Sequence, residues 1–232
     1  MKLSIIIPVH NEEENIVNTI KKIKDALDLA HELVVVNDHS DDRTRELVEI
    51  EAAQYPDLRV VDNNLEKGFA NAIKTGFANA QSYVVIPVMG DLCDDLDTLK
   101  RMFAKINEGY DIVCGCRYIK GGARLGGSKV KGFFSAFVGW SLHILLGLPT
   151  HDIANAFKMY RKSVLSSIDI KSKGFEISME IPLKGYFNGF KMTEVPTVWK
   201  ERKFGKSSFS MLKLLPAYLY LYLWAIVKRI KG

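Results

Sequence analysis

Residues 84–95 read Val84-Val85-Ile86-Pro87-Val88-Met89-Gly90-Asp91-Leu92-Cys93-Asp94-Asp95, an apolar run that passes abruptly into an acidic turn. A short apolar run bounded by Gly predicts a buried central strand. Ligands of open α/β sheets bind beyond the carboxyl ends of the strands, so the turn is the first candidate for a functional site. Its carboxylates can hold a hard divalent cation. Alternatively, Asp94 and Asp95 cap a helix beginning near Leu96, which Asp91 lies too far upstream to do.

On both sides of this stretch, apolar strands alternate with amphipathic helices. Asn11 with Glu14 predicts the start of a capped helix, and Ser40-Asp41 predicts the start of the next. This alternation predicts an α/β fold, a single Rossmann-like domain whose central sheet is mainly parallel, with helices on both faces. The predicted strands are 3–8, 33–36, 58–61, 83–88, 110–114, 155–160 and 191–198.

The composition is that of a globular chain rather than a disordered one. Of the 232 residues, 47% are hydrophobic and 25% are charged, with a formal net charge of +5. Residues 1–116 carry 12 Lys and Arg against 21 Asp and Glu, whereas residues 117–232 carry 20 against 6. The first half therefore suits a metal or a neutral ring, and the second suits anions or an anionic surface. We expect no nucleic-acid partner.

The cysteines and the N-terminal segment bear on the compartment. Cys93, Cys114 and Cys116 give no even disulfide framework, and no histidines stand beside them at zinc-ligand spacing. We therefore expect a reducing compartment. The apolar run at residues 3–8 is too short for the core of a signal peptide and is interpreted as the first strand.

A first apolar segment in the basic half, residues 130–148, predicts a helix that is apolar around most of its surface. Such a helix lies either in a core or at a membrane interface. Lys129 and Lys131 at one end, with Trp140 midway, favour the interface.

The second apolar segment is residues 210–232, whose uncharged stretch 214–227 is short for a membrane span. Its aromatic residues and cationic end are typical of a helix lying in the headgroup region of an anionic leaflet. A dimerisation or packing helix is the alternative. We accordingly divide the chain into a domain of residues 1–209 and a membrane-associating helix of residues 210–232.

Four polar loops follow predicted strands, and a parallel sheet brings them to one edge. They are residues 8–12, 37–42, 64–68 and 89–91. None has the G-x-G-x-x-G or G-K-[ST] spacing that wraps a phosphate in backbone amides. A diphosphate here needs a cation and basic side chains from elsewhere, which Arg117, Lys131 and the run 200–207 can supply.

Six segments follow one another in an order that is more specific than any one of them. They are PVHNEEEN (8–15), NDHSDDRT (37–44), KGFANA (67–72), MGDL (89–92), GCRY (115–118), and EVP with RKFGKS (194–196 and 202–207). Together they resemble the inverting family 2 glycosyltransferases of the A-type fold, in particular the dolichyl-phosphate mannosyltransferase-like branch that transfers sugars to polyprenyl phosphates.

The resemblance implies a nucleotide-sugar donor in the cleft, either GDP-mannose or a UDP-hexose. Asp38 is implied to hydrogen-bond the base, with His10 standing where the family usually has Tyr. The residues implied for donor binding are Pro8, His10, Glu12, Asp38, Lys67, Gly68 and Asp91.

The resemblance also implies a divalent cation, Mg²⁺ or Mn²⁺, which bridges the diphosphate. Asp91 corresponds to the last carboxylate of the family's D-x-D motif, whereas Met89 stands at the first, and a thioether is a poor ligand for these ions. The catalytic residues implied are Asp91, Arg117, Lys131 and Arg202. Around the acceptor phosphate the resemblance implies Arg117, Lys131, Ser135 and Arg202.

Other positions depart from the family pattern. Asn37 replaces an Asp, Ser208 replaces a Lys, and residues 152–158 read DIANAFK where the family has D-x-x-S-G-F-R. The Q-x-x-R-W motif of processive polysaccharide synthases is missing from the sequence.

The predicted function is transfer of one sugar to a polyprenyl phosphate with inversion, by a peripheral or monotopic enzyme at the cytoplasmic face of a membrane. A phosphate acceptor is already anionic near neutrality, so direct attack needs no strong general base. One alternative is a soluble sugar or protein hydroxyl as acceptor, with Asp152 or Glu180 as base. Another is a membrane-associated nucleotide-binding protein that has lost catalysis.

Overall fold

A computed structural model describes residues 3–91, 93–201 and 211–231 of the chain. Within them, strands and helices alternate along the first half as the hydrophobic pattern predicts. The strands are β1 Leu3–Val9, β2 His31–Asn37, β3 Leu58–Asp62, β4 Val84–Pro87, β5 Ile112–Cys116, β6 Ala123–Leu125, β7 Lys158–Arg161, β8 Met192–Pro196 and β9 Val198–Lys200. The helices are α1 Ile16–Ala26, α2 Thr44–Ala52, α3 Phe69–Asn79, α4 Thr98–Asn107, α5 Lys129–Leu146, α6 Lys162–Ser166, α7 Ile177–Phe187 and α8 Met211–Lys231.

Seven strands form one sheet in the order β3-β2-β1-β4-β7-β5-β8, and β6 pairs with β9 in a separate parallel ladder. β7 runs antiparallel to both of its neighbours, β4 and β5. The remaining neighbours in the sheet are parallel, which confirms the predicted α/β fold with a mainly parallel sheet. Val9 pairs with Asn37, and Cys116 with Pro196, so the carboxyl ends of these strands lie at the same edge.

Helices cover both faces of the sheet. α1, α2 and α4 pack on one face, and α3, α6 and α7 pack on the other. β1 and β2 are thus buried on both sides, which is why their sequences are nearly continuous apolar runs. The helix residues in the two cores include Ile16, Ile20, Ile23, Val48, Leu99, Met102 and Ile106 on the first face, and Ala72, Ile73, Phe77, Val164, Ile177 and Ile181 on the second.

A third apolar cluster lies on the far side of α7. It joins Leu142 of α5, Leu183 of α7, and Leu221 and Ala225 of α8. α7 is buried around most of its surface because it lies between the sheet and this outer layer. α5 and α8 therefore each have one packed side and one outward side.

The outward sides of α5 and α8 are also apolar. The sequence left core and interface open for residues 130–148, and the structure shows a helix with one side in the core and the other exposed. The exposed apolar residues are Val130, Phe133, Phe134, Phe137, Trp140, Ile144 and Leu145 on α5, and Leu215, Leu219, Tyr220, Leu223, Val227 and Ile230 on α8. Among the described residues, no helix combines the length and apolarity that crossing a bilayer requires.

Candidate active site

The loops after β1 and β2 are locked together at the carboxyl edge of the sheet. The amide of Asn11 donates to Ser40 Oγ at 3.1 Å, and the Asn11 side chain accepts from the amide of Asp41 at 2.9 Å. Asn11 has a φ of +53°, so it does not cap a helix, and α1 begins at Ile16 instead. α2 begins at Thr44 rather than at Ser40-Asp41, because the Ser40 hydroxyl and the Asp41 amide bind Asn11 of the facing loop.

Asp38 is the central carboxylate of this edge. It is buried, with its oxygens 2.7 Å from Asn63 Nδ2 and 3.0 Å from the amide of Gly68. His10 Nδ1 lies 2.9 Å from the Asp38 carbonyl oxygen, which can only accept, so Nδ1 carries the proton. Asp38 thereby fixes the position of the loop that carries Lys67 and Gly68, while its Oδ2, which accepts from the Gly68 amide, keeps a second lone pair for a ligand.

The acidic turn lies directly beside the first loop. A Cβ at Gly90 would lie 3.8 Å from the Pro8 carbonyl oxygen and 4.0 Å from Glu12 Cγ. The Gly90 carbonyl oxygen accepts a 2.6 Å hydrogen bond from Thr19 of α1. The structure therefore brings Pro8, His10, Glu12, Asp38, Lys67, Gly68 and Asp91, the residues predicted for donor binding, to one edge of the sheet.

Asp94 and Asp95, which follow Asp91, have different environments. The predicted capping by Asp94 and Asp95 is wrong, since α4 begins at Thr98 with Asp97 at its N-cap position; the Asp95 carboxylate instead accepts from the Thr98 hydroxyl at 2.8 Å and from Arg101 at 3.3 Å. Asp94 is buried beside Asp91, and burial together with the charge of Asp91 raises its pKa to about 7. The positive charge of Arg117 acts in the opposite direction on the pKa of Asp94.

Arg117 is held by a buried carboxylate. Asp152 is fully buried and accepts from Arg117 Nε at 2.7 Å, from Nη2 at 2.8 Å and from its backbone amide at 3.0 Å. Burial disfavours the charge of Arg117, yet Asp152 outweighs it and raises the pKa of the guanidinium above its ordinary value. Arg117 Nη2 also donates to Ser135 Oγ at 3.0 Å, which connects the cation to α5. Such a pre-oriented guanidinium suits phosphate binding.

The other predicted phosphate-binding residues are only partly within the described chain. Lys131 lies one turn before Ser135 on α5, where its backbone amide contacts the capping hydroxyl of Ser128 at 3.4 Å. Arg202, together with residues 203–208 of the resembling segment, lies outside the described residues.

The two carboxylates predicted as a base for a hydroxyl acceptor are both engaged. Asp152 binds Arg117 through both oxygens. Glu180 is buried and accepts from the amides of Lys171 and Ser172 and from Lys184 Nζ. Burial acts to raise the pKa of Glu180, but these hydrogen bonds lower it overall. Both side chains therefore serve the fold, and neither is placed as a base.

Two residues of the site were missed by the sequence analysis. Asn63 donates to Asp38, and its position directly after β3 is the signal that could have identified it. Lys158 is fully buried and donates to the carbonyl oxygens of Ile153 at 2.9 Å, Ser178 at 3.2 Å and Asn155. Burial lowers the pKa of Lys158. It fixes the loop that begins with Asp152, and no local pattern predicts a lysine in that role.

The residues of the acidic turn fit a divalent cation only together with a ligand. No group of three or more His, Cys, Asp or Glu side chains is arranged to hold a metal among the residues that the structure describes. Mg²⁺ and related ions, however, are bound by one or two carboxylates plus substrate phosphates. Asp91, with Asp94 close beside it, can meet that requirement when a diphosphate supplies the remaining oxygens.

The fold and this edge define an A-type glycosyltransferase, as predicted from the sequence. The sequence model described as "Glycosyl transferase family 2" matches residues 4–169, and the chain belongs to this family. The chain is 33% identical over 216 residues to a dolichol-phosphate mannosyltransferase of Pyrococcus furiosus, covering 89% of this chain and 59% of that one. It is 30% identical to a polyprenol monophosphomannose synthase of Mycolicibacterium smegmatis, covering 97% and 88%.

Salmonella undecaprenyl-phosphate 4-deoxy-4-formamido-L-arabinose transferases are 27% identical, with 92% of this chain and 64% of the relative covered. The chain thus spans less than two thirds of the Pyrococcus and Salmonella relatives. Among solved structures, glucosyl-3-phosphoglycerate synthase of Mycobacterium tuberculosis with UDP superposes with a TM-score of 0.71 at 17% identity, covering 97% of this chain and 80% of that one. Staphylococcus aureus TarS with UDP-GlcNAc gives 0.67 at 20% identity, covering 98% and 66%. At these identities the structures show the shared fold alone.

Proposed function

We propose that this chain transfers one sugar from a nucleotide diphosphate-sugar, GDP-mannose or a UDP-hexose, to a polyprenyl phosphate with inversion, at the cytoplasmic face of a membrane. The observation that carries the proposal is the contact of Arg117 with Ser135. It joins a phosphate-binding cation to α5, the helix whose outward side exposes Phe133, Phe134 and Phe137. A lipid phosphate is an acceptor that needs a cation and an apolar surface side by side. The names of the relatives above agree with this chemistry.

The donor would bind across the acidic half of the edge. The base and ribose would lie against Pro8, His10 and Glu12, with Asp38 hydrogen-bonded to the base. Gly68 and Asn63 already orient the Asp38 side chain, so binding of the base would cost little side-chain entropy at Asp38. A divalent cation held at Asp91 would neutralise the diphosphate when bound.

The reaction would be a direct displacement at the anomeric carbon. An oxygen of the acceptor phosphate forms the new C–O bond on one face of the sugar while the bond to the diphosphate breaks on the other, and the electron pair leaves with the diphosphate. Because the attacking oxygen is already anionic, no proton needs to be removed. Arg117, Lys131 and Arg202 would position the acceptor and stabilise the charge on the phosphates.

The outward sides of α5 and α8 would hold the site against the membrane. Their exposed apolar residues lie on neighbouring helices, since Tyr222 of α8 donates to Ser141 of α5 at 3.1 Å. Trp140 is 44% exposed on this surface, and aromatic rings favour the headgroup region. We retain the division into a domain of residues 1–209 and a docking helix of residues 210–232, with Leu221 fixing that helix to the domain.

The test is a transfer assay with the purified full chain in detergent. GDP-mannose, UDP-glucose and UDP-N-acetylglucosamine are each offered with a polyprenyl phosphate, in Mn²⁺ or in chelator, and lipid products are identified by mass spectrometry. We expect one nucleotide-sugar to give a singly glycosylated polyprenyl phosphate. Transfer to a soluble sugar or peptide hydroxyl but not to the lipid would favour the first alternative. Tight nucleotide binding with no transfer would favour the second.

A further inference from the structure

We infer that Glu194 and His151 are positioning residues for Arg117, acting through the turn that carries Asp152. The inference rests on the proposed function and extends it to two side chains that touch neither donor nor acceptor. It starts from the dependence of Arg117 on Asp152: three nitrogen atoms of Arg117 donate to that carboxylate, including its own backbone amide. Any displacement of Asp152 therefore moves the guanidinium.

Asp152 directly follows His151, which a second carboxylate holds. The carboxylate of Glu194 accepts from His151 Nδ1 at 2.7 Å and from the His151 backbone amide at 2.8 Å. Both side chains are largely shielded, with 18% of His151 and 14% of Glu194 exposed. The two acceptor oxygens thus fix both the backbone and the ring of His151. The peptide between His151 and Asp152 has little freedom as a result.

Glu194 is itself rigidly placed. It lies in the middle of β8, where it pairs with Cys114 of β5, the strand that leads directly to Arg117. Strand-borne groups position a site more accurately than loop-borne groups. One strand pair therefore carries Arg117 at its end and, through Glu194 and Asp152, the groups that orient it.

α5 closes the turn from the other side. A Cβ at Gly139 would lie 1.9 Å from the His151 carbonyl oxygen, so only glycine lets the helix approach this closely. The ring of His151 contacts the rings of Trp140, with centroids 4.3 Å apart, and of His143, at 3.9 Å. The turn is thus enclosed by β8 and α5, and we expect it to keep Asp152 in place without any ligand bound.

Five ionisable groups lie here, and their hydrogen bonds are complementary. His143 Nδ1 lies 2.6 Å from the Leu148 carbonyl oxygen, so this nitrogen donates. His151 Nδ1 donates to Glu194, and Asp152 accepts from Arg117. The Glu194 carboxylate therefore accepts both hydrogen bonds that His151 donates. Removing it leaves the His151 ring N–H and backbone N–H without their acceptor.

The test compares Glu194→Ala, Glu194→Gln and His151→Ala in the transfer assay. Asp111→Asn is the matched control. Asp111 also accepts a hydrogen bond from a backbone amide, that of Lys191 at 2.9 Å, just before β8. This contact lies at the opposite end of the strands from Arg117. For Glu194→Ala we expect kcat to fall at least about 10-fold, since small misplacements of a catalytic group cost up to roughly 10²-fold. Glu194→Gln keeps one acceptor oxygen and should recover most of the rate, with His151→Ala intermediate.

Affinity for nucleoside monophosphates, UMP and GMP, should stay within about two-fold in these variants. Asp38 follows β2, four strand positions from β5, which is roughly 19 Å at the usual strand spacing. A variant that merely loosened the fold would instead weaken nucleotide binding and transfer together. That result, or a kcat unchanged in Glu194→Ala, overturns the inference.

A double-mutant cycle with Arg117→Lys keeps the inference testable if Glu194→Ala folds poorly. In the Arg117→Lys background, where the bidentate contact to Asp152 is gone, His151→Ala, which alone lowers kcat, should cause no further loss of kcat. Losses that multiply would contradict an action through Arg117. A wild-type chain that forms no glycolipid in the same assay would refute the proposed function itself, whereas an active wild type with an equally active Glu194→Ala refutes only this inference.

Discussion

At the scale of single residues, Asp38 performs two tasks with one carboxylate. It holds the Gly68 amide and the Asn63 side chain, and it faces the proposed base pocket. Asp38→Ala removes the acceptor of the Gly68 amide and the shorter hydrogen bond of the buried Asn63 side chain, and an unsatisfied buried donor costs roughly 1–3 kcal/mol. We expect nucleotide affinity to fall at least about 10-fold, measured by calorimetry with the preferred nucleoside diphosphate. Asp62→Asn, at the end of the adjacent strand, is the control and should retain affinity.

Asp94 gives a second residue-scale prediction, on stability. Burial and Asp91 raise its pKa from 3.8 to about 7, so the native state holds the proton more tightly than the unfolded chain does. The contribution of Asp94 to the free energy of unfolding should therefore fall as pH rises from about 4 to about 7 and stay level above that. Asp94→Asn, a neutral near-isostere, removes the penalty.

In chelator at pH 8, we expect Asp94→Asn to be more stable than the wild type, by at most a few kcal/mol on the scale of about 1.4 per pKa unit. Near pH 4 the two should agree. Urea unfolding at both values measures the difference. Asp95→Asn, which loses contacts to Thr98 and Arg101, should destabilise instead. Equal stability of Asp94→Asn and wild type at pH 8 would mean that the charge of Asp94 does not destabilise the native state.

At the scale of secondary structure elements, α5 has a side that no described part of the chain covers. Phe133 is 67% and Phe137 56% exposed. Each phenylalanine that enters an apolar phase contributes roughly 1.5–3 kcal/mol. Phe133→Ser with Phe137→Ser should therefore reduce flotation with lipid vesicles at least about 10-fold while leaving the melting temperature nearly unchanged. Tyr83→Ser, at another 82% exposed aromatic residue, is the control. Unchanged flotation of the double variant would contradict docking through α5.

The elements also show what the sequence can and cannot predict. Strands β1, β2 and β4, and the helices between them, follow from local apolar periodicity, because the residues that each element buries recur at strand or helix spacing within its own sequence. The antiparallel insertion of β7 between β4 and β5 does not follow, since it depends on pairing between residues far apart in sequence. The short ladder of β6 with β9 was missed for the same reason.

The candidate site likewise has one part that the sequence predicts and one part that it does not. Asp38, Gly68 and Asp91 follow strands or open helices, so parallel topology alone predicts that they meet. The clamp of Arg117 by Asp152 joins residues 35 positions apart in sequence and depends on Glu194 and Lys158, whose environments no local pattern reveals. Asp152 was accordingly considered as a base, whereas the structure makes it the partner of Arg117.

At the scale of the whole molecule, the acidic and basic halves of the sequence occupy different regions of the structure. The acidic first half forms the donor edge, and the basic second half includes α5 and α8. Three exposed cations, Lys228, Arg229 and Lys231, close α8 beside its apolar side. Each Lys or Arg near an anionic membrane contributes about 1 kcal/mol, and the contribution is screened by salt.

Replacing all three cations by Gln should therefore abolish the preference for vesicles containing phosphatidylglycerol over neutral phosphatidylcholine vesicles. Residual binding should persist through the apolar sides of the two helices. The wild type should lose the same preference between about 0.05 and 0.5 M NaCl, because the Debye length shortens several-fold over that range. Lys21→Gln with Lys22→Gln, exposed on α1, is the control and should bind as wild type does. If the control loses binding to anionic vesicles as much as the α8 variant does, the net charge of the protein, and not the cationic end of α8, causes the preference.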